Sequence, residues 1–103
     1  MNSEFDDLSE KLREFSKSRN WEKFHNPKNL AMALAGEAGE LVAEFQWLRP
    51  EESTANVLGD EKLKSIELEI ADVQIYLLRL ADELGIKIPK AVAEKMEINS
   101  KRF

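Results

Sequence analysis

The chain contains no cysteine, one histidine, three prolines and four glycines among its 103 residues. Without cysteine there is no disulfide, no thiolate metal site and no thiol nucleophile. That fits a reducing interior, and a cytoplasmic location is expected. No apolar run approaches the ~18 residues of a membrane span, and the polar, acidic stretch from Met1 to Asp7 does not read as a signal peptide. Positive charge is the other shortage. Fifteen Lys and Arg stand against twenty Asp and Glu, a net of −5. Binding to a nucleic-acid polymer or to a membrane surface needs a positive field, so neither partner is expected. A local basic cluster can still bind an anion.

What remains reads as helix. Hydrophobic residues make up 43% of the chain, enough for one core and one domain over 1–103. Phe5, Leu8, Leu12 and Phe15 recur at helical spacing behind Ser3, a good N-cap, and predict a first helix over about 4–18. A turn with Asn20, Trp21, His25 and Asn26 follows. Asn26-Pro27 combines a capping side chain with proline at the first helical position. It opens a second helix that should run to about Leu48 and stop at Pro50. Residues 50–60 carry Ser53, Thr54, Asn56 and Gly59 and read as a loop. A third helix is expected from Asp60 to Leu84, with Gly85 as its C′ residue. Ile88-Pro89 opens a fourth, to about Ser100. The architecture expected is a small all-α, four-helix bundle. The third helix carries Ile66, Val73, Leu77, Leu80 and Leu84 on one stripe and Leu68, Ala71, Ile75 and Leu78 on other sides. A helix apolar nearly all round must be covered on every side, so these outer residues predict completion by another subunit.

The acids sit where acids should not. At about 100° per residue, Glu37 falls within the apolar stripe of the second helix (Leu30, Leu34, Leu41, Phe45), with Glu40 and Glu44 on its edge. In the third helix Glu69 lies between Tyr76 and Leu80, with Asp72 one turn on. Both helices thus carry carboxylates at i, i+3 on the core side: Glu37-Ala38-Gly39-Glu40 and Glu69-Ile70-Ala71-Asp72. Buried carboxylates without partners are costly or become neutral, and no lysine or arginine is expected on either inner stripe. A divalent cation resolves the conflict, and all-oxygen ligands suit Mg²⁺ or Mn²⁺ rather than zinc. A di-iron bundle would use Glu-x-x-His motifs, but His25 lies in a turn outside any such motif. Gly36 and Gly39, inside the second helix, read as sites of close helix packing.

Two further groups complete the inventory. Lys95, Asn99 and Arg102 follow i, i+4, i+7 with Lys101 adjacent, a stripe that would suit a phosphate chain; basic helix C-termini also answer the helix dipole. Trp21 and Trp47 flank the ends of the second helix, and Tyr76 stands one turn beyond Asp72. Such aromatics are core residues or, beside a metal site, faces for a nucleobase.

Together, Gly36-Glu37-Ala38-Gly39-Glu40-Leu41, Phe45-Gln46-Trp47, Glu69-Ile70-Ala71-Asp72-Val73-Gln74-Ile75-Tyr76-Leu77 and Lys95-Met96-Glu97-Ile98-Asn99 resemble the MazG-like nucleotide pyrophosphohydrolases of the all-α NTP pyrophosphatase superfamily. Asn20-Trp21-Glu22-Lys23-Phe24-His25 and Pro27-Lys28-Asn29-Leu30 bring the match closest to the short dCTP pyrophosphatase branch. The resemblance implies Mg²⁺-dependent hydrolysis of a nucleoside triphosphate to monophosphate and pyrophosphate. It implies Glu37, Glu40, Glu69 and Asp72 as metal ligands, with Glu37 orienting the attacking water. It implies Lys95, Asn99 and Arg102 near the phosphates, and Trp21, Trp47, Tyr76 and His25 around the base. Leu12 stands where dCTP-specific relatives resemble one another in a histidine, so only modest base discrimination is expected. Family members form dimers or tetramers, and a tetramer built as a dimer of dimers is the expected state. Two other readings of the residues stay open: a nucleotide or metal sensor without turnover, and a purely structural helical oligomer.

Overall fold

The computed structural model describes residues 3–103, and among these no strand occurs. Five α-helices run in order: α1 Glu4–Ser18, α2 Pro27–Phe45, α3 Ala55–Leu58, α4 Asp60–Glu83 and α5 Ile88–Arg102. Short 3₁₀ turns at Glu22–Phe24 and Pro50–Glu52 punctuate the connections. The all-α expectation is met, with one-turn segments inside the stretch read as loop. The second helix also ends three residues earlier than expected, at Phe45. There the chain turns on the Leu48 N–H to Phe45 carbonyl bond (2.9 Å) before Pro50 is reached.

The helix ends follow their caps. Ser3 and Asp6 form a reciprocal capping box: Asp6 N–H donates to Ser3 Oγ (3.1 Å) and Ser3 N–H to the Asp6 carboxylate (3.3 Å). Asn26 Oδ1 accepts from Asn29 N–H at 2.9 Å, ahead of Pro27 at the first helical position. Two helices finish with the same Schellman pattern. Gly85 (φ +68) ends α4, with Ile86 N–H bonded to Ala81 carbonyl and Gly85 N–H to Asp82 carbonyl. Asn20 (φ +58) does the same for α1, with Trp21 N–H on Ser16 carbonyl and Asn20 N–H on Lys17 carbonyl. This motif carries a hydrophobic contact back onto its own helix, and Trp21 makes it, edge-on to Phe15 at 5.4 Å.

The core is small. Among the described residues its buried apolar side chains are Leu30 (1% exposed) on α2 and Ile66, Leu78 and Ala81 on α4, the two helices that pack most closely. The stripe expected on α4 is therefore rotated. Leu78, expected on an outer side, is buried within the chain, while Leu77 and Leu84 are exposed. Leu68 and Ile75 remain exposed as expected, joined by Ile70, and α5 buries no residue. A Cβ added at Gly36 or Gly39 would meet nothing within 4 Å, so close packing inside the chain does not explain these glycines. The Cα radius of gyration is 16.2 Å, against about 13 Å for a compact chain of this size. The chain exposes 8026 Å², roughly 2,000 Å² more than a folded monomer of its mass. Among the described residues no helix is long and apolar enough to cross a membrane.

Polar contacts tie α1 to the C-terminal half of α4 and to the turn that follows it. Arg13 grips Asp82 with both arms of its guanidinium, Nε at 2.9 Å and Nη2 at 2.7 Å. Lys87 pairs with Asp6 at 3.0 Å. Arg79, only 2% exposed, donates to Asp82 (3.0 Å) and Glu83 (2.6 Å). Asp82→Ala is expected to lower the urea unfolding free energy by about 3 kcal/mol, because two arginines lose their shared carboxylate and one of them is buried. The hydrogen bond from Arg13 holds the Asp82 carboxyl below its ordinary value. The pair therefore contributes fully above the ordinary Asp range, and the contribution is lost as pH falls through the lowered one. The gap between wild type and variant should close below about pH 4. A gap unchanged from pH 7 to pH 3 would contradict this assignment.

Candidate active site

α2 and α4 pack side by side, so acids of the two helices meet at the seam. One carboxylate oxygen each from Glu37, Glu69 and Asp72 lies within 4.8 Å of the other two. Three like charges this close raise one another's cost. Burial first, then Asp72, Glu40, Glu37 and Glu44, push the Glu69 carboxyl above the ordinary range. Its Oε2 is buried and has no hydrogen-bond partner. An acceptor of this kind, in an all-oxygen set facing two others, fits a hard divalent cation. The cluster can hold a metal ion.

Glu40 is exposed and stands outside the converging trio, although its charge reaches Glu69. Glu44 is occupied elsewhere. Ser65 Oγ donates to its Oε1 at 2.8 Å and Lys62 Nζ lies 2.9 Å from its Oε2. These two partners, Lys62 first, hold the Glu44 carboxyl below its usual value. Glu44 thus stays ionised and neutralised by its own cation at the edge of the cluster. The expectation of no cation on the inner stripes needs one correction. Arg79 is buried on α4, although it pairs with Asp82 and Glu83 rather than with the cluster. The i, i+3 and i, i+4 spacing of those two acids was the signal that could have found it.

The other expected site residues fall into separate places. Trp21 and His25 come together in the α1–α2 turn, ring centroids 6.1 Å apart. Tyr76 is half-buried on α4, one turn past Asp72. Trp47 stands apart, 87% exposed, in the turn after α2. On α5, Lys95 and Arg102 are exposed and Asn99 half-buried. Arg102 lies over the Phe103 ring at 5.2 Å. Leu12 is half-buried on α1.

The two longest helices of this all-α chain thus bring three carboxylates to one seam. Residues 33–103 match the model of the MazG-like family, and the chain belongs to it. Among known proteins, dCTP pyrophosphatase 1 of Homo sapiens is 39% identical over 98 residues, which cover 95% of this chain and 58% of that protein. The Bos taurus protein of the same name is 38% identical over the same share. The chain thus spans a little over half the length of these curated relatives. A crystal structure of a pyrophosphatase from Archaeoglobus fulgidus superposes with a TM-score of 0.89 at 42% identity, covering all of this chain and 94% of that one.

Proposed function

We propose that this chain is a nucleoside triphosphate pyrophosphatase that cleaves deoxynucleotides, dCTP among them, to the monophosphate and pyrophosphate, with Mg²⁺ as its metal. The observation that carries the reading is the convergence of Glu37, Glu69 and Asp72, together with a buried Glu69 oxygen that has no hydrogen-bond partner. The names of the relatives supply the substrate class.

Glu37, Glu69 and Asp72, with Glu40 at the rim, would hold the metal, which when bound neutralises charge on the phosphate oxygens and helps align an in-line displacement. Glu37 orients a water toward the α-phosphorus. The water oxygen bonds to phosphorus, the bond to the bridging α–β oxygen breaks, pyrophosphate leaves, and the water's proton passes to solvent. Lys95, Arg102 and Asn99 bind the phosphates. Trp21, Trp47, Tyr76 and His25 form the base side. Phosphoryl transfer depends on positioning and electrostatics more than on a strong base, so a site without cysteine and with its one histidine away from the carboxylates is adequate.

Pyrophosphate release measured across a deoxynucleotide panel, with and without Mg²⁺, tests the reading. Release that requires the metal is expected, with dCTP accepted and modest discrimination among bases. No release from any nucleotide with either Mg²⁺ or Mn²⁺ would refute it. Stacking binds ground and transition states alike and is worth about 1–3 kcal/mol per base. Trp47→Ala should therefore raise KM by about tenfold or more and leave kcat within about twofold. An unchanged KM for every nucleotide would remove Trp47 from the pocket.

The chain is also expected to work as an assembly. Its surplus surface of roughly 2,000 Å² is what one protomer of an obligate oligomer covers. The exposed apolar residues of α4 and α5 support this reading, and a dimer of dimers is the favoured form.

A further inference from the structure

Among the described residues, the polar side-chain contacts between α2 and α4 are both made by one residue, Glu44 of α2. Its Oε1 accepts from Ser65 Oγ at 2.8 Å, and its Oε2 lies 2.9 Å from Lys62 Nζ. Its side chain is only 17% exposed. These bonds also fix the direction of the two helices. Glu37 faces Glu69 and Asp72, whereas Glu44, further along α2, faces Lys62 and Ser65, further back along α4. The helices are therefore antiparallel. Glu44 stands seven residues, about 10 Å of helix, beyond Glu37, and Ser65 stands four residues before Glu69.

That placement answers a mechanical problem. Glu37, Glu69 and Asp72 repel one another across the seam until a cation joins them. Seven residues to the other side of Glu37, α2 is held by Leu30, which is buried and apolar. Apolar burial is strong but non-directional, so it lets one helix slide or roll on the other. Hydrogen bonds are directional, and two of them on one carboxylate fix a register. A metal site needs that register, because its ligands must be held to within about 0.5 Å.

We propose that Glu44 is a positioning residue for the metal site: clamped by Ser65 and Lys62, it locks α2 in register on α4 and so keeps Glu37 within ligand reach of Glu69 and Asp72 before the cation binds. The proposal rests on the reading of those three acids as the metal ligands. Glu44 itself is already engaged by two partners and is not counted among the ligands.

Mn²⁺ alone, titrated into the whole chain and followed by the EPR signal of the free ion, tests the clamp without substrate. Lys62→Met and Ser65→Ala are the informative variants, since neither changes a carboxylate. Were Lys62 only an offset of charge, removing a cation beside an acidic site would tighten Mn²⁺ binding, and Ser65→Ala would leave it unmoved. The clamp gives the opposite sign. Mn²⁺ binding should weaken by about threefold in Lys62→Met and about fivefold in Ser65→Ala. Lys62→Arg, which keeps the ion pair, should stay close to wild type. The Mg²⁺ concentration that gives half the maximal rate should rise by the same factors, with kcat at saturating Mg²⁺ within about twofold. A contact that served stability alone would lower Tm and leave the Mn²⁺ affinity of the folded protein unmoved. Tighter or unchanged Mn²⁺ binding in either variant, with wild-type binding intact, overturns the clamp alone. A wild type that binds no Mn²⁺ overturns the metal site and the clamp together.

Discussion

Glu69→Ala, and separately Asp72→Ala, should lose Mg²⁺-dependent pyrophosphate release by more than about a hundredfold, since even outer partners of metal ligands commonly cost 10–100-fold. The same variants should fold, and without metal they should melt higher than wild type. The reason is the sign of the Glu69 shift. Its carboxyl is raised in the folded state, by burial first and by Asp72 next. Protonation therefore favours the native state: the benefit is full below the ordinary Glu range and is lost as pH rises through the raised value. At pH 7 the metal-free wild type carries the repulsion in full. Glu69→Gln removes it, so the variant's advantage in Tm should be present at pH 7 and shrink at pH 4. Adding Mg²⁺ should reverse the order, because a ligand that binds only the native wild-type site stabilises it by mass action. Circular-dichroism melts at two pH values, with and without Mg²⁺, check this. Full activity in both alanine variants would sink the site, and so would a metal-free Tm lower than wild type at pH 7 in all three variants.

The second large effect concerns assembly. Leu68, 56% exposed, and Ile75 project from α4 away from the small core. Replacing both by Asp changes almost nothing inside an isolated chain, where both are already wet. Across a dry interface the same change buries two charges, which is costly without partners. Light scattering should show the wild type at two or four times the chain mass of 11.8 kDa. The double variant should run as a monomer with a markedly lower Tm. An active wild-type monomer at micromolar concentration would refute the assembly, and a double variant with unchanged mass would place these residues outside the interface.

Much of this was legible in the residues. Ser3, Asn26-Pro27 and Gly85 mark helix ends because capping is local chemistry, set by side chains within three residues of the end. The carboxylate seam was legible too, because acids on an apolar stripe conflict with burial whatever the partner helix is. The one-turn α3 and the 3₁₀ segments were not, since four residues carry no periodicity. Pro50 concealed the earlier end of α2, where no capping side chain marks Phe45. The misplacement of Leu78 on α4 has a different cause. A helix apolar on several sides does not say which side its own chain will cover. Arg79 was hidden because a charged residue reads as solvent-facing until its two acids are noticed. Lys62 and Ser65, which occupy Glu44 from another helix, depend on tertiary structure and leave no mark in sequence.

Among the described residues the core has four buried apolar side chains, and this would have a consequence for the life of the chain before the proposed assembly forms. In the proposed assembly most of what makes the native state favourable would be supplied by encounter rather than by collapse. Folding would then be a reaction of higher order, since each tenfold dilution of a dimer erodes its stability by about 1.4 kcal/mol. The newly made monomer, with α5 burying none of its residues, is the form most open to proteases. The amount of working protein would then rise more steeply than the amount synthesised.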